Sequence, residues 1–330
     1  MSTLLHGGTD SGPAVPHDFS TNANPLPPPA SLLQAMQAAD RRRYPDPQYR
    51  LLREYLAAAH GVEPAQVLPT AGGAEAIRRI SLAAHLLGLR EVWVPEPGFG
   101  DYAAAALALG LPLRRYSHVE HLLEALHAEA LVWICEPCNP TGASLSSEAL
   151  EALSARAGLT VVDRAYEPLR LTGAAPLMPN RCWQLHCPNK ALSHTGVRAA
   201  YLLAPAAADP LSLALSQKLS ELASSWVLSA EGQVLLLQWR RPEIQTWLAE
   251  SREQLRSWGQ QQRQMLADLG WQQEDSCTPF WLARPPQALP ELRGHGIKLR
   301  DASSFGLPNW VRIATLPPSS QLALQKVIQQ

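Results

Sequence analysis

Three polar side chains that could do chemistry follow apolar runs in the middle of the chain. Asp163 closes the run 160–163, Tyr166 lies three residues later, and Lys190 comes just after the run 182–187. A carboxylate that ends a hydrophobic strand loses its water unless a cation or a strong donor meets it, which favours a site residue over a surface charge. Carboxylate, phenol and amine groups serve in acid–base and nucleophilic catalysis. A lone lysine is usually a solvated charge, so only the surrounding motifs favour a chemical role for Lys190.

A glycine pair indicates a second place where a ligand could bind. Segment 70–77, Thr-Ala-Gly-Gly-Ala-Glu-Ala-Ile, follows a short apolar run and opens a helical pattern. Its two glycines let the backbone approach a ligand closely, and the free N–H groups of the helix start then favour a phosphate. The same Gly-Gly entry is also typical of a plain tight turn, and the Gly-Lys-Ser/Thr of a P-loop is missing.

An asparagine follows the next apolar run, in segment 135–142, Cys-Glu-Pro-Cys-Asn-Pro-Thr-Gly. Asn139 either begins a turn by bonding its own backbone, or holds an amide at the carboxyl end of a strand, where α/β folds place ligands. Cys135 and Cys138 have C-x-x-C spacing, but a proline lies between them and neither a helix signal nor a second pair follows. This arrangement disfavours zinc binding or redox chemistry at the pair, and we predict no metal site.

Apolar runs and helical segments alternate through the middle of the chain, which implies right-handed βαβ crossovers and an α/β layer. A polar segment with apolar residues at helical intervals predicts one long helix over about 243–269, linking two domains. The runs that predict buried parallel strands are 91–95, 130–135, 159–163 and 200–204, and the helical segments between them are 74–87, 119–128 and 146–157.

The chain divides into three predicted parts. The first forty residues are crowded with turn formers, including Asn24-Pro25, and precede any regular pattern, so we expect an ordered arm rather than a core element. The predicted parts are this arm over 1–40, which contributes to the small domain, a large cofactor-binding domain over 41–240 and a C-terminal small domain over 241–330.

Composition excludes several classes of protein. The 330 residues are 46% hydrophobic and 17% charged, with 28 Lys+Arg against 29 Asp+Glu. Such a chain buries a large core and favours neither disorder nor nucleic-acid binding. The five cysteines are an odd number, as expected for reduced thiols in the cytosol. The first residues lack a basic signal-peptide region, and the longest apolar stretch, 102–113, is too short for a bilayer. We expect a soluble cytoplasmic protein with no membrane partner.

Taken together, the motifs resemble the fold-type-I pyridoxal-phosphate family of aminotransferases and decarboxylases. The resemblance implies an α/β fold whose large domain has a mixed, mostly parallel sheet flanked by helices, beside a smaller α+β domain. It also implies the cofactor pyridoxal 5′-phosphate and a homodimer with shared active sites. The motifs that carry it, in family order, are Asn139-Pro-Thr-Gly142, Asp163-x-x-Tyr166, Lys190 with Arg198 eight residues later, and Trp310-Val-Arg312-Ile-Ala314.

This resemblance implies a role for each of these residues. Lys190 would condense with the cofactor aldehyde and later carry the proton at the reacting carbon. Asp163 would keep the ring nitrogen protonated, so that the ring accepts electrons. Asn139 and Tyr166 would hydrogen-bond the phenolic oxygen of the ring. The other implied contacts are the backbone of Gly73 and Ala74 and the Arg198 side chain for the phosphate, Phe99 (or, less well, Tyr102) for the ring face, and Tyr44 for the phosphate of the neighbouring subunit.

One part of the family pattern is missing. Relatives usually place Ser or Thr three residues, and often one residue, before the lysine to bond the phosphate, whereas this chain has Cys187 and Asn189. A thiol is a poor donor, so Asn189 is the candidate to compensate.

Two further segments narrow the choice within the family. Threonine-phosphate decarboxylases have similar segments to His6-Gly-Gly8, followed by 18–26, and to 299–308. Histidinol-phosphate aminotransferases share an Asn-x-Asn-Pro element, but they usually lack the His-Gly-Gly opening and the Arg-Asp-x-Ser-Ser-Phe run within 299–308. The resemblance thus implies decarboxylation of L-threonine O-3-phosphate to (R)-1-amino-2-propanol O-2-phosphate in cobalamin biosynthesis. An aminotransferase acting on histidinol phosphate and a non-catalytic binding module are the alternatives. The implied substrate contacts are Arg312 for the carboxylate and His6, Asn22 and Arg300, with Ser303 as a further candidate, for the phosphate.

Overall fold

The computed structural model describes residues 6–206 and 209–329, and within these ranges the chain forms ten α-helices and thirteen strands. The helices are α1 (Ala30–Gln37), α2 (Arg50–His60), α3 (Gly73–Leu86), α4 (Gly100–Ala108), α5 (Val119–Ala125), α6 (Ser147–Arg156), α7 (Pro210–Glu221), α8 (Ala230–Trp239), α9 (Pro242–Asp268) and α10 (Pro318–Ile328). The strands are β1 (His17–Asp18), β2 (Val67–Thr70), β3 (Glu91–Pro95), β4 (Leu113–Tyr116), β5 (Ala130–Cys135), β6 (Leu159–Asp163), β7 (Trp183–His186), β8 (Ala200–Leu203), β9 (Gln272–Gln273), β10 (Phe280–Arg284), β11 (Ile297–Lys298), β12 (Arg300–Asp301) and β13 (Val311–Ala314).

The largest sheet has seven strands in the order β2-β8-β7-β6-β5-β3-β4. All are parallel to one another except β8, which is antiparallel to both of its neighbours. The predicted mixed, mostly parallel sheet is therefore confirmed. The prediction that 200–204 is a parallel strand is wrong, because an apolar run indicates burial on both faces of a sheet and carries no information about strand direction.

The strand β5 illustrates why the central strands are apolar throughout. All six of its residues are buried. Successive side chains of a strand point to opposite faces. Leu131 and Trp133 join the core formed with α3 and α4, whereas Val132 and Ile134 join the core formed with α5 and α6. Because helices cover both faces, the strand shows no apolar–polar alternation.

A second, smaller unit lies at the C-terminal end of the chain. Its sheet has four antiparallel strands in the order β12-β13-β10-β9, and β1 pairs with β11 beside it. The long helix predicted over 243–269 is confirmed as α9. Leu248 of α9 lies in a core of the large unit, and Leu266 lies in the core of the small one, so α9 connects the two. The boundaries near 40 and 240 stay predictions.

Residues before position 40 contribute to both units. Phe19 is fully buried in the core of the small unit, and Leu32 and Met36 of α1 are buried in a core with α2 and α8. The prediction that this segment holds no core element is wrong. An eight-residue helix directly after a run of prolines offers two apolar turns at most, too short a pattern to stand out in the sequence.

Candidate active site

A cavity of about 400 Å³ opens where several strands of the large sheet end. Strands β2, β3, β5, β6 and β7 are parallel, and their carboxyl ends deliver residues to one edge, the usual ligand position in an open α/β sheet. Residues before position 40 and the strands β12 and β13 close the opposite wall. Twelve of the sequence-predicted site residues line this cavity: His6, Asn22, Gly73, Ala74, Phe99, Asn139, Asp163, Tyr166, Lys190, Arg198, Arg300 and Arg312.

The start of α3 forms an anion-binding end of the cavity. Within the described part of the chain, no side chain caps the first turn of this helix, so its N–H groups are available to a ligand. Gly72 precedes the helix with φ +88°, and a Cβ there would lie 2.6 Å from an Arg198 nitrogen. Only glycine permits both this backbone conformation and this approach of Arg198. Backbone donors and a guanidinium therefore converge where the sequence predicts a phosphate.

Residues around Lys190 are arranged differently from expectation. Asn189 is buried, does not line the cavity, and donates its side-chain amide to the carbonyl oxygens of Thr195 at 3.4 Å and Val197 at 3.5 Å. The expectation that Asn189 compensates for a missing phosphate ligand is therefore wrong, because its amide fixes the following loop. Cys187 lines the cavity and donates its thiol to Asn189 Oδ1 at 3.1 Å. Thr195, which sequence reasoning missed, brings a hydroxyl-bearing side chain to the same wall.

Asp163 is held by a partner that the sequence did not reveal. The Tyr102 hydroxyl donates to Asp163 Oδ2 at 2.7 Å, and the Ala165 N–H donates to Oδ1 at 3.0 Å. The Tyr102 ring stacks on Trp133 with centroids 4.9 Å apart and does not line the cavity. The secondary suggestion that Tyr102 stacks on the cofactor ring is thus wrong, whereas Phe99 does line the cavity. Burial raises the pKa of Asp163, and the Tyr102 hydrogen bond and the charge of Lys190 partly oppose this rise.

Lys190 lies among negatively charged or acidic groups. Its Nζ is 5.2 Å from the centroid of the Tyr166 ring. Burial lowers the pKa of Lys190, but electrostatic interactions with Tyr166, Cys187 and Asp163 outweigh burial, so the pKa lies above its ordinary value. The base of the cavity therefore stabilises positive charge, which suits both a lysine ammonium and a protonated ring nitrogen.

Two arginines lie side by side at the other end of the cavity. Arg300 and Arg312 are paired across β12 and β13, and both are buried. Arg312 donates to Asn139 Oδ1 at 2.6 Å and to the Ser20 carbonyl oxygen at 2.7 Å, and burial lowers its pKa to about 10. Arg300 donates to Ser304 Oγ at 2.7 Å. Two neighbouring guanidiniums repel each other, so this end of the cavity favours an anionic ligand.

Residues before position 25 complete this end. Asn22 is only 6% exposed, and neither atom of its side-chain amide has a hydrogen-bond partner among residues 6–206 and 209–329. The Asn24 N–H donates to the Lys190 carbonyl oxygen at 2.9 Å. Asn24 thus connects this segment to the backbone of Lys190, and Asn22 presents its side-chain amide to the cavity.

The His-Gly-Gly opening packs against the arginine wall. A Cβ on Gly7 would lie 1.9 Å from the Ser20 carbonyl oxygen and 2.8 Å from an Arg312 nitrogen, so only glycine fits there. His6 is half exposed, with its Nε2 3.5 Å from Asp101 Oδ1. Gly7 and Ser20 belong to the segments that carry the family resemblance, but their individual roles could not be predicted, since these come from contacts with residues far along the chain.

Two more sequence-predicted residues, besides Asn189 and Tyr102, lie away from the cavity. Ser303 borders a separate surface depression and donates its hydroxyl to Asp301 Oδ1 at 2.7 Å, so the suggestion that it binds the substrate phosphate is wrong. The neighbouring Ser304 is the residue that contacts Arg300. Tyr44 is 77% exposed and stacks on Trp226 with centroids 4.1 Å apart.

The described ranges contain neither a metal-ligand cluster nor a membrane-spanning helix. No group of three or more His, Cys, Asp or Glu residues is arranged to hold a metal ion there. Nor does that part of the chain contain a helix long and apolar enough to cross a membrane.

Comparison with known proteins agrees with this fold. The family model for aminotransferases of class I and II matches residues 16–329. A histidinol-phosphate aminotransferase of Halorubrum lacusprofundi is 31% identical over 316 residues, which cover 90% of this chain and 84% of that protein. A threonine-phosphate decarboxylase of Salmonella typhimurium is 30% identical over 205 residues, 56% of each chain. A histidinol-phosphate aminotransferase of Xanthomonas euvesicatoria is 37% identical over 160 residues, 44% of this chain and 41% of that protein.

Solved structures share the fold at low sequence identity. Histidinol-phosphate aminotransferase from Sinorhizobium meliloti, in complex with pyridoxal 5′-phosphate, superposes with a TM-score of 0.78 at 21% identity, covering 93% of this chain and 88% of that one. L-Threonine-O-3-phosphate decarboxylase from Porphyromonas gingivalis superposes with a TM-score of 0.74 at 20% identity, covering 94% and 98%.

Together with the family match, the fold and the cavity define an enzyme of the pyridoxal-phosphate-dependent class. The chain belongs to the aminotransferase class I and II family. The predicted family, fold and cofactor are thereby confirmed. Aminotransferases and a decarboxylase both occur among its relatives.

Proposed function

We propose that the protein removes CO2 from L-threonine O-3-phosphate and releases (R)-1-amino-2-propanol O-2-phosphate for cobalamin biosynthesis. The observation that carries this proposal is the pair of buried guanidiniums, Arg300 and Arg312, on neighbouring strands of one cavity wall. Two fixed cations favour a substrate that brings both a carboxylate and a phosphate. Threonine phosphate has both groups in one molecule, whereas an aminotransferase would bind the phosphate of histidinol phosphate and the carboxylates of its 2-oxo acid in separate half-reactions.

The residues at the end of the cavity opposite the two arginines fit the cofactor. The N–H groups of Gly73 and Ala74 and the side chain of Arg198 would bind its phosphate, with the Thr195 hydroxyl in place of the Ser or Thr that position 187 lacks. The bound cofactor supplies an electron sink for the electron pair left when a bond at the substrate Cα breaks. The remaining assignments are Asp163 for the ring nitrogen, Asn139 and Tyr166 for the phenolic oxygen, Phe99 for the ring face and Lys190 for the aldehyde carbon.

Asp163 and Lys190 would do the proton chemistry. The Tyr102 hydrogen bond orients the Asp163 carboxylate and favours its charged form, which keeps a proton on the ring nitrogen it faces. Lys190 would return a proton to the substrate Cα after CO2 has left, because no other amine lines the cavity wall formed by the described residues. The base of the cavity would therefore supply both the fixed charge and the mobile proton.

Arg312 would select the bond that breaks. Only a bond held perpendicular to the cofactor ring overlaps its π system, so the position of the substrate carboxylate decides between loss of CO2 and loss of the α-proton. Arg312 is fixed on two sides by Asn139 and by the Ser20 carbonyl oxygen. A rigid guanidinium would hold the carboxylate in one orientation.

Arg300, Asn22 and His6 would bind the substrate phosphate. A buried amide without a hydrogen-bond partner costs about 1–3 kcal/mol, which a phosphate accepting from Asn22 would recover. Arg300 supplies the fixed charge that a phosphate dianion needs. His6 can approach from the exposed side of the cavity.

We also infer a cytoplasmic homodimer. Tyr44 and Trp226 form an exposed aromatic pair that lies outside the cavity of their own chain. A second copy covering this pair would bury apolar surface and bring Tyr44 toward the cofactor phosphate of its partner. All five cysteines are free, which fits a reducing compartment.

An aminotransferase acting on histidinol phosphate or a similar phosphorylated amine is the second candidate. The observation that favours it is the 31% identity over 90% of the chain to a histidinol-phosphate aminotransferase. This enzyme would use the same cofactor residues and differ only at the substrate end of the cavity.

The test is incubation of the cofactor-loaded protein with threonine phosphate in the absence of any 2-oxo acid. We expect release of CO2 together with aminopropanol phosphate. A parallel reaction contains histidinol phosphate and 2-oxoglutarate. Turnover in that reaction, with no CO2 from threonine phosphate, would reject the decarboxylase and support the aminotransferase.

A further inference from the structure

A buried ion pair lies behind the candidate cofactor site. Glu136 directly follows β5 and is fully buried, and the side chain of Arg170 is only 7% exposed. Arg170 Nη2 donates to Glu136 Oε1 at 2.6 Å. Neither side chain lines the cavity. A buried carboxylate that loses its cationic partner is strongly destabilised, so each member of this pair fixes the position of the other.

Glu136 closes the loop that carries Asn139. Its carboxylate accepts from Ser144 Oγ at 2.6 Å and from the Leu145 N–H at 2.7 Å, which joins the two ends of the loop 136–145. Asn139 lies within this loop, and its Oδ1 accepts from Arg312 at 2.6 Å. The amide nitrogen of Asn139 is therefore the atom that would donate to a cofactor, and the loop held by Glu136 decides where that nitrogen lies.

Arg170 joins this loop to the turn that follows Tyr166. In that turn the Leu169 N–H donates to the Tyr166 carbonyl oxygen at 2.9 Å. Arg170 Nε donates to both carboxylate oxygens of Glu167, at 3.2 and 3.0 Å, and its Nη1 donates to Ser144 Oγ at 3.2 Å. One guanidinium thus contacts both segments. The planar fork of an arginine can make these contacts together, whereas a lysine ammonium is a single point donor.

Backbone hydrogen bonds fasten the same two segments independently of Arg170. The Cys277 N–H donates to the Gly142 carbonyl oxygen at 2.9 Å, and the Leu171 N–H donates to the Cys277 carbonyl oxygen at 2.7 Å. These contacts remain when the Arg170 side chain is replaced. We therefore expect variants at this position to keep the fold and to lose the exact placement of the Asn139 loop.

We propose that Arg170 is a positioning residue that acts through Glu136 to hold Asn139 and Tyr166 in the relative placement at which both side chains donate to the phenolic oxygen of the cofactor ring. This inference rests on the proposed function, which assigns Asn139 and Tyr166 to that oxygen. Donors to a phenolic oxygen stabilise its negative charge, so their loss makes the bound cofactor more basic. Misplacement of Asn139 therefore raises the pKa at which the absorbance of the bound cofactor changes.

The experiment titrates the absorbance of the cofactor-loaded protein against pH in the absence of substrate. Asn139→Ala removes the donor itself, and we expect it to raise the pKa of the spectral change by about one unit, the effect of one lost hydrogen bond to a charged oxygen. Arg170→Met should give at least about half of that rise. Arg170→Lys keeps a cation beside Glu136 and should give a smaller rise than Arg170→Met.

The matched control is Arg256→Met. Arg256 Nε donates to the Leu171 carbonyl oxygen at 2.7 Å, and its guanidinium pairs with Glu253 rather than with Glu136. This variant removes a guanidinium from the neighbourhood of the same turn. Chemical denaturation of the cofactor-free variants reports any general loss of stability, and the pKa of the spectral change should stay in place in Arg256→Met.

The outcomes separate this proposal from the assignment on which it rests. A rise in Asn139→Ala with none in Arg170→Met overturns the role of Arg170 and leaves the assignment of Asn139 intact. No rise in Asn139→Ala overturns both, and an equal rise in Arg256→Met overturns the role of Arg170. Should Arg170→Met fail to fold, Glu136→Gln makes the same test, since it keeps the shape of the side chain and removes the charge that Arg170 pairs with. The pKa should rise in that variant too, and an unchanged value overturns the proposal.

Discussion

Replacing Tyr102 with phenylalanine tests how the site controls Asp163. The change removes the hydroxyl that donates to Asp163 Oδ2 at 2.7 Å and leaves the ring stacked on Trp133. The hydroxyl lowers the pKa of Asp163 against the rise caused by burial. Its loss therefore raises that pKa further and reduces the ionised fraction of the carboxylate at any given pH.

The size of the effect follows from the remaining contacts. A hydrogen bond to a charged group contributes about 1.5–3 kcal/mol. The Ala165 N–H still donates to Asp163 at 3.0 Å. We therefore expect the free energy lost with the Tyr102 hydroxyl to lie near the lower end of this range, about 1.5 kcal/mol, which raises the Asp163 pKa by roughly one unit. The predicted result is an acid limb of the kcat/KM profile moved about one pH unit toward higher pH, with an approximately tenfold loss at each pH on that limb.

The matched control is Tyr116→Phe. The Tyr116 hydroxyl donates to the Trp133 carbonyl oxygen at 2.8 Å and does not contact Asp163. This variant loses a buried hydroxyl of the same kind, so it reports any general loss of stability. An acid limb that stays in place in Tyr102→Phe, or that moves equally in both variants, would refute the reasoning.

Three further substitutions test the two ends of the cavity. Arg300→Ala should raise KM for the phosphorylated substrate by at least about thirtyfold, since it leaves a buried phosphate without its fixed charge, while the dissociation constant for pyridoxal phosphate stays the same. The control is Arg293→Ala, which removes a partly exposed guanidinium whose ion pair with Asp10 lies outside the cavity and should change neither quantity. Asn22→Ala should leave the unfolding free energy of the cofactor-free protein unchanged or slightly higher in chemical denaturation, because it removes an unpaired buried amide. The same variant should raise KM for the phosphorylated substrate roughly tenfold. A large loss of stability would show that the amide has a hydrogen-bond partner in the folded chain. Gly72→Ala and Gly173→Ala both place a side chain at positive φ, which should cost about 1 kcal/mol of unfolding free energy at Gly173 and more at Gly72, where the Cβ also lies 2.6 Å from an Arg198 nitrogen. Only Gly72→Ala should weaken cofactor binding in a spectroscopic titration, since a Cβ at Gly173 meets open space.

The sequence predicts much of this fold because its strongest patterns are local. The long helix α9 and the strands β3, β5 and β6 lie where apolar spacing predicts them. Asp163 and Asn139 could be predicted at one edge of the sheet, since the ends of parallel strands converge there. These features need only the period of the pattern and the chirality of βαβ units.

Other features depend on contacts between distant residues and leave no local signal. The direction of β8 is set by its neighbours in the sheet, and the hydrogen bond between Tyr102 and Asp163 joins residues 61 positions apart. Asn189 has the donor groups of a phosphate ligand, but a neighbouring loop occupies them. Which polar group faces a cavity and which one supports its wall is decided by packing, and a single sequence does not contain that information.

The central claim is that Lys190 forms the covalent link to the cofactor whose ring nitrogen faces Asp163. Borohydride reduction of the cofactor-loaded protein followed by peptide mapping tests it most directly, since the chain has only four lysines, Lys190, Lys218, Lys298 and Lys326. We predict a pyridoxyl group on Lys190 alone, and none on a folded Lys190→Ala variant. A label on another lysine, or an equal amount of trapped cofactor in the variant, would contradict the account.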